Sequence, residues 1–142
     1  MNLATETIAR TSVTEAVADV RAVEPAKATS DVLGRAFLAA RTGADFKARD
    51  IQILDMRRIT PLYDYVVIMS GASRRQIHTL AEEIDAALRV AGDNRLHLEG
   101  YEASKWVVQD YGDLVVHVFD PETRTYYALE ELWADAPRVA WE

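Results

Sequence analysis

The chain has 142 residues and no cysteine, so it has room for one core and none for a disulfide framework or a thiolate metal site. Hydrophobic residues make up 49% and charged residues 27%, the balance of a folded globular domain rather than a disordered one. The formal charge of −7 disfavours a protein that grips phosphate backbone by itself, because nucleic-acid binders need a basic footprint. That charge is unevenly placed. Residues 31–95 carry 10 basic and 9 acidic side chains, whereas residues 96–142 carry 3 basic and 10 acidic ones. The final third should therefore present an acidic surface suited to a basic partner, or simply a solvated one.

Residues 1–28 contain no aromatic side chain, and Pro25 closes the segment. Ser12-x-x-Glu15 can form a capping box ahead of Val13, Val17 and Val20, which predicts a flexible extension carrying one marginal helix. The segment lacks the apolar run of a secretory signal, and Glu6, Glu15, Asp19 and Glu24 argue against an acid-poor transit peptide. No stretch reaches the roughly 18 apolar residues of a membrane span, so the chain reads as cytoplasmic.

Past Ser30, which can cap a helix, Val32, Leu33, Ala36, Phe37 and Ala40 recur at helical spacing, with Gly43 placed to end it. Residues 50–55 and 65–70 are strand-like and flank a turn-rich piece holding Pro61; the second run is apolar on both faces, as in a central strand. Ser73-Arg74-Arg75-Gln76 is a second capping box. Behind it Ile77, Leu80, Ala81, Ile84, Leu88 and Ala91 draw a helical stripe that Gly92 terminates. Leu96-His97-Leu98 suits a short strand. Residues 105–110 and 114–119 form a hairpin through Tyr111-Gly112-Asp113. Asp120-Pro121 opens a last helix that ends before Pro137. The order implies an α/β (α+β) domain, a mixed sheet of four to five strands with flanking helices.

Three constellations bear on chemistry. Ser70-Gly71-Ala72-Ser73, between a strand and a helix, resembles a phosphate cradle but lacks both G-x-G-x-x-G and the Walker lysine; a turn with a helix cap explains every residue in it. Asp55, Asp64, Asp110, Asp113 and Asp120 stand at strand ends, where aspartate is the ordinary turn and cap residue, and no pair shares a strand face as a metal would require. His78, His97 and His117 show no metal spacing, and no activated nucleophile accompanies them, so no catalytic, metal or cofactor-binding residue is assigned. Trp106 is more unusual. Strand alternation places Trp106, Val108 and Asp110 on one face, which reads equally as a protein-binding strip with an aromatic anchor or as core beneath a helix.

An ordered set of short motifs runs through residues 30–138. It comprises Leu54-Asp55-Met56, Asp64-Tyr65-Val66-Val67-Ile68, Ser70-Gly71-x-Ser73-x-x-Gln76, Glu99-Gly100 and Trp106-Val107-Val108-x-Asp110-Tyr111-Gly112-Asp113. Val116-His117-Val118-Phe119 and Glu122-x-Arg124-x-x-Tyr127-x-Leu129-Glu130-x-Leu132-Trp133-x-Asp135-Ala136 follow. Together they resemble the ribosomal silencing factor family, RsfS or Iojap-like. The resemblance implies a domain over residues 29–138 with a nucleotidyltransferase-like arrangement, and a short tail at 139–142. It also implies binding to the large ribosomal subunit through ribosomal protein L-fourteen, a block on small-subunit joining, repression of translation, and homodimers of the free protein. Separately from the resemblance, the net charge leads to an expectation of little direct nucleic-acid binding, and the residues suggest no cofactor and no membrane association. The resemblance assigns partner contacts to Trp106, Val108, Asp110 and Tyr127. The alternatives are a nucleotide-binding enzyme of nucleotidyltransferase type and a large-subunit maturation factor.

Overall fold

The computed structural model describes residues 31–142; the expected extension over residues 1–28 lies outside the described residues. The elements in chain order are α1 (Val32–Asp45), β1 (Arg49–Asp55), β2 (Tyr65–Ser70), α2 (Arg74–Val90), β3 (His97–Glu99), β4 (Trp106–Asp110), β5 (Leu114–Phe119), α3 (Pro121–Tyr127), α4 (Leu129–Leu132) and β6 (Arg138–Val139). They build one six-stranded mixed sheet in the order β3-β4-β5-β2-β1-β6. Only β2 and β5 run parallel, and they occupy the centre. Their continuous apolar sequence follows from that place, since both faces of both strands are buried.

Strand pairing sorts the core into two layers. Tyr65, Val67, Met69, Val107, Val116 and Val118 meet the apolar stripes of α1 and α2. Leu54, Val66, Ile68, Trp106, Val108, Val115 and Phe119 point the other way, against Met56, Leu62, Tyr63, Tyr127, Leu129 and Trp133. Two long helices thus cover the first face, while α3, α4 and their flanking loops cover the second.

Four details differ from expectation. Asp31, one residue after Ser30, caps α1 by accepting from Gly34 N–H at 2.8 Å. Gly43 lies inside that helix rather than past its end; a Cβ there would come within 2.7 Å of Met69, so the glycine permits close packing on β2. The last helix breaks in two at Ala128, which adopts a left-handed φ of 47°. The sheet has six strands rather than four to five, because Arg138 and Val139 pair with Leu54 and Ile53. Val139 thereby joins the sheet, and beyond it Trp141 Nε1 donates to the Ile51 carbonyl at 3.3 Å.

Gly100 carries an obligation of its own. Its φ is +79°, and a Cβ would stand 2.0 Å from the Trp106 carbonyl oxygen, a backbone atom that cannot swing aside. We expect Gly100→Ala to destabilise the fold by about 1–3 kcal/mol, read as a lower urea midpoint at unchanged m-value. A shift no larger than that of Gly92→Ala, whose added Cβ meets nothing within 4 Å, would contradict this.

Candidate docking surface

Trp106 begins β4 opposite Phe119 of β5. Its indole is 2% exposed, stacked on the Phe119 ring at 5.0 Å and packed against Tyr127 at 4.8 Å. The exposed strip that strand alternation allowed is therefore not there. Val108 is buried in the same cluster as Trp106, and Tyr127, 9% exposed, packs against the indole. Asp110 is fully buried, and its Oδ1 accepts the Gly112 N–H at 2.8 Å, closing the turn into β5. The alternation put these side chains on one face correctly; what it could not see is that α3 and α4 cover that face.

The indole N–H donates to Nδ1 of His117 at 3.0 Å. This bond leaves Nδ1 as acceptor and puts the neutral imidazole's proton on Nε2. Burial pushes the His117 pKa down to about 3. Below about pH 6.5 the unfolded chain takes up a proton that the native imidazole refuses, so stability falls as pH drops from about 6.5 towards 3. We expect wild-type protein to lose up to about 1.4 kcal/mol per pH unit more than His117→Gln across that window. Parallel curves for the two proteins would contradict this.

The remaining chemical candidates resolve into structure. Ser73 Oγ accepts from Gln76 N–H at 3.1 Å, and Gln76 Oε1 accepts from Ala72 N–H at 2.6 Å, so the capping box consumes donors that an anion would need. Asp120 caps α3 by accepting from Thr123 N–H at 2.7 Å. Asp55 pairs with Arg57 at 2.8 Å, and the guanidinium holds its carboxyl below the usual carboxylate range. Asp113 accepts twice from the buried Arg35, which also pairs with Asp93; sequence reasoning passed over this cluster, although an arginine within the apolar spacing of α1 was a signal. His78 stacks on Tyr101 at 4.1 Å and reaches its carbonyl at 2.9 Å. Among the described residues no three His, Asp or Glu side chains gather as a metal site, and no helix is long and apolar enough to cross a membrane.

What the buried aromatic cluster supports is a ledge of opposite character. Tyr126 is 72% and Leu132 50% exposed, on the consecutive helices α3 and α4. Tyr126 packs edge-on against Tyr127 at 4.9 Å, which rests in turn on Trp106. An open cleft of about 300 Å³ beside it is lined by Lys105, Glu122, Thr123, Tyr126 and Tyr127. Glu122 and Glu131 are exposed. Glu130 is turned inward onto Arg124, whose Nη1 donates to Ser70 Oγ at 2.9 Å and fastens the ledge to the end of β2. Sequence reasoning missed Tyr126 and Leu132; they were legible only as the residues left outside the inward stripe of α3 and α4.

The fold is an α+β domain with a mixed sheet, and solved structures share it. A crystal structure from Chromobacterium violaceum superposes with a TM-score of 0.71 at 36% identity, covering 73% of this chain and 87% of that one. The family described as "Ribosomal silencing factor during starvation" matches residues 27–142. Ribosomal silencing factor RsfS of Halalkalibacterium halodurans is 41% identical over 105 residues, which is 74% of this chain and 90% of that protein. Mitochondrial assembly of ribosomal large subunit protein 1 of Mus musculus is 36% identical over 89 residues, 61% of this chain and 39% of the mouse protein. The chain belongs to the ribosomal silencing factor family.

Proposed function

We propose that the protein binds the large ribosomal subunit through ribosomal protein L-fourteen in the cytoplasm and represses translation by covering the face the small subunit needs. The observation that carries this reading is family membership over residues 27–142, coupled to an acidic, aromatic ledge on α3 and α4. A protein seated in ribosomal RNA carries basic surface, and an acidic ledge with apolar contacts complements it while repelling RNA at that point. Steric blocking requires occupancy alone. Trp106, Val108 and Tyr127 serve it as the platform that holds Tyr126 in place, and Asp110 serves it from the far end of β4 by closing the turn that fixes the β4–β5 hairpin.

Sedimentation of the purified protein with separated subunits tests the reading. It should travel with large subunits and not with small ones; protein left at the top of the gradient at low salt would end the proposal. We expect Tyr126→Ala to weaken large-subunit affinity by about 1–2 kcal/mol, as truncation of an exposed interface tyrosine does, without changing the urea midpoint. The mouse relative's printed name supports a second reading, assembly of the large subunit. Immature large-subunit particles accumulating when the protein is lost would favour it.

A further inference from the structure

The net charge of −7 conceals a cationic corner at the other flank of the sheet end. Gln76, in the first turn of α2, donates through Nε2 to the carbonyls of Phe46 at 3.1 Å and Lys47 at 2.9 Å. This clamps the α1–β1 turn onto the start of α2. Arg49 stands opposite Ser70 in the β1–β2 ladder, and Ser70 leads within four residues to Arg74 and then Arg75. Lys47, Arg49, Arg74 and Arg75 are therefore gathered at one corner, and all four are exposed.

They carry no ion partner among the described residues, a trait shared by Arg41, Arg58 and Arg138; what distinguishes them is that four such cations are grouped. Arg35, Arg57, Arg89, Arg95, Lys105 and Arg124 each face a carboxylate within 4.0 Å, whereas Lys47, Arg49, Arg74 and Arg75 form no ion pair with any described residue. The exposed carboxylates nearby are Asp45 and Asp50, which leave the corner net positive. Glu130 and Glu131 line, with Asp50 and Ser70, an open cleft of about 440 Å³ that adjoins the corner, and Glu130 is paired there with Arg124. Phe46, 38% exposed, adds an aromatic surface to the corner.

Four unneutralised cations spread over a turn, a strand end and a helix start suit a polyanion better than a single anion, and an adjacent aromatic ring suits a base. We propose that this corner binds the phosphate backbone of RNA. The inference goes beyond protein docking and does not depend on it. It also replaces the expectation of little nucleic-acid contact, which followed from net charge and overlooked where the cations lie.

Fluorescence anisotropy of a short labelled RNA hairpin with the full chain tests it. Affinity should fall about a hundredfold between about 50 and 200 mM salt, as neutralising four phosphates requires. Arg49→Glu and Arg75→Glu should each weaken binding and flatten the log–log salt slope by about 1. Arg58→Glu, with the same charge change at the opposite end of β1, should leave it near wild type. No binding at low salt, or equal weakening by Arg58→Glu, would overturn the assignment. Neither result bears on sedimentation with large subunits, so failure here is distinguishable from failure of the docking reading.

Discussion

Arg35→Ala should cost about 3–5 kcal/mol of stability, the loss typical of breaking a buried ion cluster from one side. Arg35 is 6% exposed on α1; it pairs with Asp93 in the loop after α2 and donates to Asp113 at 3.1 and 3.2 Å in the β4–β5 turn. Asp93 and Asp113 are 1% and 5% exposed, so the alanine variant takes a buried guanidinium away from two interior carboxylates. A domain of this size holds only about 5–15 kcal/mol in total, which makes the expected loss a large share. Adding Asp113→Asn to Arg35→Ala should return part of the stability, because one interior charge is removed. Urea unfolding at neutral pH reads both. A loss below about 1 kcal/mol for Arg35→Ala would mean that water reaches this cluster freely.

Trp106→Ala should be comparably damaging, at about 3–5 kcal/mol, because it empties the space between Phe119, Tyr127 and His117 and orphans the imidazole Nδ1. The effect belongs to folding. Any loss of large-subunit binding in that variant is expected to follow the loss of structure. Trp106→Phe separates the two: it keeps a ring in the stack, gives up the bond to His117, and should cost about 1–3 kcal/mol. At temperatures where this variant is folded it should bind large subunits like wild type, while Tyr126→Ala should not. The reverse pattern would place the indole itself at the contact and remove the ledge from it.

The architecture was largely open to reading in the residues. The limits of β2, β5 and the start of α3 follow from unbroken apolar runs and from Asp120-Pro121, and the Ser73 box marks where α2 begins. Those signals are local, and local physics decides them. β6 was not legible, because two residues carry no period; only their pairing with Ile53 and Leu54 makes them a strand. Gly43 misled for a related reason, since a glycine that admits Met69 looks in sequence like one that ends a helix.

The docking face shows the same division more sharply. Alternation along β4 gave the side of the sheet on which Trp106 and Val108 lie, and the structure agrees. Whether that side is open depends on α3 and α4, which pack on it from elsewhere in the chain, and no pattern within β4 reports their arrival. Charge behaved likewise. Of the acidic side chains counted in the final third, Asp110, Asp113 and Asp120 serve a turn, an arginine and a cap, which leaves Glu122 and Glu131 among those facing outward.

Occupation of the joining face is the central claim, and light scattering during subunit association measures it directly. Large subunits preincubated with rising amounts of the protein, then mixed with small subunits, should give a scattering increase that shrinks towards zero near one protein per large subunit. Full-amplitude joining with the protein still bound to the large subunit would contradict the account.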